Sequence, residues 1–137
     1  MHILRWILAA SLAANGLFML GWPRAWYHAV PGVVATGPLN LHFVRDIGCA
    51  YLIAAVGLIW RTIEPSRGAA AALLGATFLL LHAGVHIAES LLGSSGLDTL
   101  LHHIPSVVLP ALLALALAWP PRSHPQLSHT GRPEHAP

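Results

Sequence analysis

Apolar residues dominate four stretches of the chain, and polar or turn-forming residues separate them. Each stretch is about 20 residues long, the length at which a helix crosses the hydrocarbon core of a bilayer. The stretches cover residues 3–21, 41–60, 69–92 and 100–119. Strands are excluded because an open sheet leaves backbone groups unpaired in lipid and four strands do not close a barrel. The pattern predicts an all-α fold, an antiparallel bundle of four transmembrane helices.

The connections between these stretches support one compact domain. The longest, residues 22–40, contains Trp22, Trp26 and Tyr27, whose rings suit the headgroup zone of a membrane. The other two are short, as expected between helices that pack side by side in opposite directions. We therefore predict a four-span domain over residues 1–119. Residues 120–137 have no hydrophobic periodicity and are predicted to form a disordered cytoplasmic tail.

Composition supports a membrane protein. Charged residues make up 9% of the chain, hydrophobic residues make up 55%, and the mean hydropathy is +0.64. An ordinary soluble domain carries about a quarter charged residues. The net charge of +2 comes without any basic run, which argues against a nucleic-acid partner. The single cysteine, Cys49, excludes an internal disulfide.

Arginine is distributed unequally between the two ends of the predicted bundle. Only Arg24 falls in a connection on one side, whereas five arginines lie on the other: Arg5, Arg61, Arg67, Arg122 and Arg132. The positive-inside rule places the arginine-rich side in the cytoplasm. We therefore predict that both termini are cytoplasmic and that the protein lies in a bacterial inner membrane. The first stretch is longer than a signal-peptide core and three more follow, so it is interpreted as a retained helix.

Ionisable residues recur at helical spacing within three of the stretches. His82, His86 and Glu89 share one helix face because they are four and three residues apart. The second stretch repeats this spacing in His42, Asp46 and Cys49, with Arg45 on the flank. In the fourth stretch, His102 and Ser106 share a face, and His103 is predicted to point elsewhere.

The ionisable groups of different stretches are predicted to lie at similar depths in the membrane. At about 1.5 Å of rise per residue, Asp46 and His86 lie roughly 7 to 9 Å beneath the same surface. An ionisable group facing lipid there costs about 2.5 to 3.5 kcal/mol on insertion scales. The side chains are therefore expected to face one another in a polar pocket that opens toward the outer surface. Its predicted members are Arg45, Asp46, His82, His86 and Glu89.

Three interpretations of this pocket remain open. In the first, Arg45, Asp46, His86 and Glu89 form a hydrogen-bonded network that orients the helices. The protein would then be a structural or accessory membrane component, whose partners are the bilayer and either other membrane subunits or a second copy.

The second interpretation is a redox or other site for a transition metal or haem, because imidazole and carboxylate ligands suit zinc, iron, copper and nickel. Its candidate ligands are His82, His86, Glu89, His42, Asp46, Cys49 and His102. No acidic residue adjoins His82, so the spacing differs from the His-Glu-x-x-His metalloprotease motif. The third interpretation is transport or proton relay. It would require polar residues in the opposite leaflet, where the apolar stretches have almost none.

One segment resembles a known family. Residues 44–58, "VRDIGCAYLIAAVGL", are similar to the pattern R-x-x-G-x-x-Y-L-x-x-x-x-G-L of small DoxX-like four-helix membrane proteins. The matching positions are Arg45, Gly48, Tyr51, Leu52, Gly57 and Leu58. The resemblance covers one span and implies four helices with cytoplasmic termini. It implies no activity, since many members of that group have none assigned.

Overall fold

The computed structural model describes residues 1–92, 101 and 103–119, and every regular element in those residues is helical. The elements are α1 (His2–Gly21), α2 (Pro23–Ala29), a 3-10 turn (Val33–Thr36), α3 (Leu41–Ile63), α4 (Gly68–Leu92), a π-helical turn (Ile104–Val108) and α5 (Leu109–Ala118). The predicted all-α class is therefore confirmed for this part of the chain. The tail predicted over residues 120–137 and the predicted site residue His102 lie outside the described residues.

Three of these helices, α1, α3 and α4, are long and apolar enough to cross a membrane. Their bounds agree with the first three predicted spans to within a few residues. In the fourth, residues 101 and 103 are helical, and the described apolar helix Ile104–Ala118 contains the π-helical turn. The sequence predicts a span over residues 100–119 that is kinked at Pro110, and the π-helical turn lies directly before that proline.

Proline explains the irregular start of the last helix. Pro110 has no N–H, and its ring crowds the carbonyl group four residues earlier, so a regular α-helix does not pass through this point. The chain adopts a wider turn instead, in which the Leu109 N–H donates to the carbonyl of Ile104. Regular α-helix resumes at Leu109, where Pro110 occupies the first turn after the π-helical turn and its missing N–H is tolerated.

Alanine and leucine fill the core, and glycine sets how closely the helices approach. A Cβ atom added at Gly16 would lie 2.7 Å from the carbonyl oxygen of Gly48, and one at Gly57 would lie 2.7 Å from that of Ala71. The backbones of α1 and α3, and of α3 and α4, are therefore in direct contact. Close approach of this kind holds helices together in lipid, where burial of apolar surface gives no net driving force.

The connection between α1 and α3 is fixed by hydrogen bonds at the end of the bundle. Trp26 Nε1 donates to Asn15 Oδ1 at 2.9 Å, and the Tyr27 hydroxyl donates to the carbonyl of Gly37 at 2.6 Å. Asn40 caps α3, because its Oδ1 accepts the backbone N–H groups of His42 and Phe43. The first residues of α3 are thereby held next to the last residues of α1.

Candidate functional site

A row of three imidazole rings lies between α4 and the start of the last helical segment. The ring centroids of His82 and His86 are 4.8 Å apart, and those of His86 and His103 are 4.5 Å apart. Both pairs meet nearly edge to face, at 79° and 72°. We call His82, His86 and His103 the histidine row. It contains His82 and His86, two of the residues predicted to form the polar pocket.

Neighbouring side chains connect the histidine row to α3 and determine which nitrogen of the His103 ring carries a proton. The Tyr51 ring of α3 meets His82 edge to face at 5.9 Å, so the row is in contact with a third helix. The Ser90 hydroxyl donates to the carbonyl of His86 at 2.8 Å, and the same oxygen lies 3.3 Å from His103 Nδ1. Because the Ser90 proton is already used, the contact with His103 requires an N–H at Nδ1 of that ring.

His86 is the central ring, and one of its nitrogens has an unusual environment. Its Nδ1 atom is buried and has no hydrogen-bond partner among the described residues. An unpaired buried polar atom costs about 1 to 3 kcal/mol. Most buried polar atoms in proteins are paired, so an exception calls for a functional or structural explanation.

The polar residues His42, Asp46 and Cys49 in the first half of α3 point away from the bundle. His42 Nε2 lies 3.4 Å from Asp46 Oδ2, but their side chains are 89% and 59% exposed. Cys49, on the same face, is also exposed. The opposite face of α3 packs inward instead, through Val44, Gly48, Ala55 and Leu58.

The predicted network of Arg45, Asp46, His86 and Glu89 therefore divides into separate groups. Within residues 1–92, 101 and 103–119, no hydrogen bond or ion pair joins Arg45 or Asp46 to His86 or Glu89. Arg45 Nε donates to the carbonyl of Leu20 at 3.3 Å, and Glu89 is exposed. The spacing along α3 correctly grouped its polar residues on one face, but that face is the outer one.

The predicted metal ligands are only partly brought together. His82 and His86 are in contact, whereas His42 and Asp46 lie in the exposed pair on α3. The expectation that His103 points elsewhere is wrong, because its ring contacts His86. In the part of the chain that the structure describes, no three His, Cys, Asp or Glu side chains are arranged to hold a metal ion. In the histidine row, His86 has one imidazole neighbour on either side, and the three rings do not form a converging triad.

Two arginines that the sequence analysis used only for orientation are buried at the other end of the bundle. Arg5 is 6% exposed and Arg61 is 2% exposed. Arg5 Nε donates to the carbonyl of Leu117 at 2.9 Å, and Arg61 Nη2 donates to that of Trp119 at 3.2 Å. Carbonyl groups at a helix C-terminus lack intrahelical partners and carry a partial negative charge, which cations complement. The arginines thus tie α1 and α3 to the end of α5.

No protein-family model, curated protein or solved structure matches this chain. The similarity of residues 44–58 to DoxX-like proteins therefore stays a prediction.

Proposed function

We propose that the protein crosses a bacterial inner membrane four times and serves as a structural or accessory component of a membrane system. One observation carries this proposal: the polar side chains that reach across the bundle bind other helices. Arg5, Arg45 and Arg61 each donate to a backbone carbonyl of another segment, and Ser90 links α4 to His103. Such bonds orient helices, although each contributes only about 0.6 kcal/mol on average in membranes.

The order of the helix contacts supports an antiparallel arrangement. Gly57 of α3 is next to Ala71 of α4, and Ala54 of α3 is next to Gly75 of α4. Residue numbers therefore rise along one helix as they fall along the other. Ile104–Ala118 measures about 22 Å at 1.5 Å per residue, less than the hydrocarbon thickness of about 30 Å. In the proposal, residues 100–103 complete the fourth crossing.

Topology reporters test the number of crossings and the orientation. Fusions after residues 21, 64, 95 and 119 should report alternating compartments, with the C-terminal fusion in the cytoplasm. Four crossings and the positive-inside rule together require this result. A fusion after residue 119 that reports the outer compartment would contradict either the fourth crossing or the orientation.

The exposed pair on α3 supports a second copy of the chain as the partner. Asp46 lies five residues beyond the start of α3, about 7.5 Å along the helix axis. A carboxylate that faces lipid costs about 2.5 to 3.5 kcal/mol at the centre of a span on insertion scales, and a smaller cost applies at the depth of Asp46. A two-fold axis beside α3 would place His42 of one copy against Asp46 of the other, because the pair is complementary to itself.

A cysteine of this chain can be used to test the contact between two copies. Cys49 is the only cysteine, and it is exposed on the same face as Asp46. Mild oxidation of membranes should cross-link two copies through Cys49, and Asp46→Asn should reduce the yield. Cys49→Ser is the matched control and should abolish the cross-link. A monomer in native membranes that does not cross-link would refute the second copy, and stoichiometric recovery of a different subunit would replace it.

A metal- or haem-binding role is the second candidate, and the buried His86 Nδ1 atom favours it. Imidazole nitrogen suits zinc, copper, iron and nickel. In this proposal His86 binds the metal with His82 or His103 as the neighbouring ligand. Metal analysis and an optical spectrum of the detergent-purified protein test it.

A bound metal that is lost in His86→Ala but kept in His2→Ala would support the site, and a Soret band would indicate haem. His2 is exposed at the other end of the bundle and makes no ring contact in the described structure. Protein without metal, together with reduced stability of His86→Ala, would favour the structural role.

A further inference from the structure

An open groove of about 310 Å³ lies where the end of α1, the start of α2 and the start of α3 meet. It is lined by Gly21, Trp22, Pro23, Arg24, Ala25, Leu41 and Arg45. Both α1 and α3 are membrane-spanning candidates, so the junction of their ends lies at the membrane surface. Its volume is at the lower end of the range typical of small-molecule sites.

The groove carries two positive charges that no carboxylate of the described residues neutralises. The ion pairs in that part of the chain are His42 with Asp46 and Glu64 with Arg67. Among the described residues Arg45 donates only through Nε, to the carbonyl of Leu20, which leaves both of its Nη groups for a ligand. Arg24 is exposed and makes no hydrogen bond through its side chain within the described structure.

The remaining walls of the groove are apolar. Trp22 is 67% exposed, and Pro23 and Leu41 lie beside it. Tryptophan rings prefer the headgroup level of a bilayer, where one side of the ring meets acyl chains and the other meets polar groups. A ligand that fits these walls combines a negative group with an apolar portion.

We propose that this groove binds the phosphate group of an anionic phospholipid. Guanidinium groups bind phosphate with paired, charge-assisted hydrogen bonds, which two arginines at one groove can supply. The apolar walls would contact the glycerol and the upper acyl chain, which distinguishes a lipid from free phosphate. The proposal rests on the membrane placement proposed above, although the chemistry of the two arginines does not depend on the number of crossings.

Native mass spectrometry of the full-length protein in detergent, with added short-chain phosphatidylglycerol or phosphatidylcholine, tests the site. Phosphatidylglycerol should bind more tightly than phosphatidylcholine. The double variant Arg24→Gln/Arg45→Gln should weaken phosphatidylglycerol binding roughly 20-fold, and each single variant roughly fivefold. Arg67→Gln removes the same charge from a connection at the opposite end of α3 and should change nothing. Arg45→Lys keeps the charge but loses the paired hydrogen bonds of the guanidinium group, so its binding should fall between that of the wild type and that of Arg45→Gln.

Inorganic phosphate, added at millimolar concentration, separates the two sources of the anion. Displacement of the lipid by phosphate, with no preference for phosphatidylglycerol over phosphatidylcholine, would support the phosphate site but overturn the lipid as its ligand. Unchanged phosphatidylglycerol binding in the double variant, with the helix content of the wild type by circular dichroism, would overturn the site. A wild-type protein absent from membranes that still binds inorganic phosphate through Arg24 and Arg45 would refute the membrane placement and keep the anion site.

Discussion

Replacing Gly75 by alanine adds one methyl group where α4 meets α3. The new Cβ would lie 2.7 Å from the Cα atom of Ala54 and 3.2 Å from its Cβ atom. Carbon atoms pack at about 3.5 to 4.0 Å, so the two backbones must separate by roughly 1 Å at this point. Neither atom is the mobile end of a side chain, so the helices themselves have to move.

Gly84 in the same helix supplies a matched control. A Cβ atom there meets nothing within 4 Å. Both substitutions gain the same intrinsic helix preference, about 1 kcal/mol per glycine replaced by alanine. The difference between the two variants therefore isolates the steric cost. Overpacking a close contact typically costs about 1 to 3 kcal/mol, and that is the expected difference in the free energy of unfolding.

Unfolding in mixed micelles, followed by circular dichroism as the fraction of denaturing detergent rises, measures this difference. Gly84→Ala should match or exceed the stability of the wild type, and Gly75→Ala should fall below it. Ala54→Gly in the Gly75→Ala background should not restore the stability of the wild type, because the Cα atom remains in the way and the new glycine loses about 1 kcal/mol of helix preference. Equal stability of Gly75→Ala and Gly84→Ala would refute the close approach of α3 and α4.

Three further substitutions have defined outcomes in the same assay. Arg61→Gln removes a buried charged donor to the end of the last helix and should lower the free energy of unfolding by about 1.5 to 3 kcal/mol. The control Arg67→Gln loses only an exposed ion pair and should lower it by less than about 1 kcal/mol. Ser90→Ala leaves His103 Nδ1 without its partner and should cost about 1 to 2 kcal/mol, and Ser90→Thr, which keeps the hydroxyl, should recover part of it. Asn40→Ala removes the cap of α3 and should cost about 1 kcal/mol, with faster amide hydrogen exchange at the first turn; unchanged exchange there would contradict the cap.

The length of the apolar stretches was sufficient to predict α1, α3 and α4. In a membrane, a single segment can pair its backbone N–H and carbonyl groups internally only as a helix. The direction in which a polar stripe points was not available from the same pattern. His82 and His86 share a face that turns inward, and His42 and Asp46 share one that turns outward. Periodicity groups residues on a face, but the neighbours that cover that face are set by the packing of other helices.

The last helix shows why the contact between His103 and His86 was not predicted. Assigning His102 rather than His103 to the polar face assumed regular 3.6-residue turns up to Ser106. The π-helical turn before Pro110 changes the rotation per residue, so a face counted across it is displaced. The sequence does predict an irregularity, because Pro110 lies inside the stretch and is expected to kink the helix, but it does not predict how far the face is displaced.

The hydrogen-bond partners of the buried arginines could not be predicted from a sequence motif. Arginine inside an apolar stretch indicates a side chain with an internal partner. The partner of Arg5 is a carbonyl group 112 residues away, and every residue type has one. Only the fold identifies which carbonyl it is.

The bonds from Arg5 to Leu117 and from Arg61 to Trp119 have a consequence for biosynthesis. The ribosome makes both arginines long before it makes the carbonyl groups that receive them. Until residue 119 has left the exit tunnel, two charged side chains in the newly inserted helices must be hydrated or held by the insertion machinery. The bundle is complete only when the final segment has packed against α1 and α3. We expect a chain that stops short of residue 117 to be recognised and degraded.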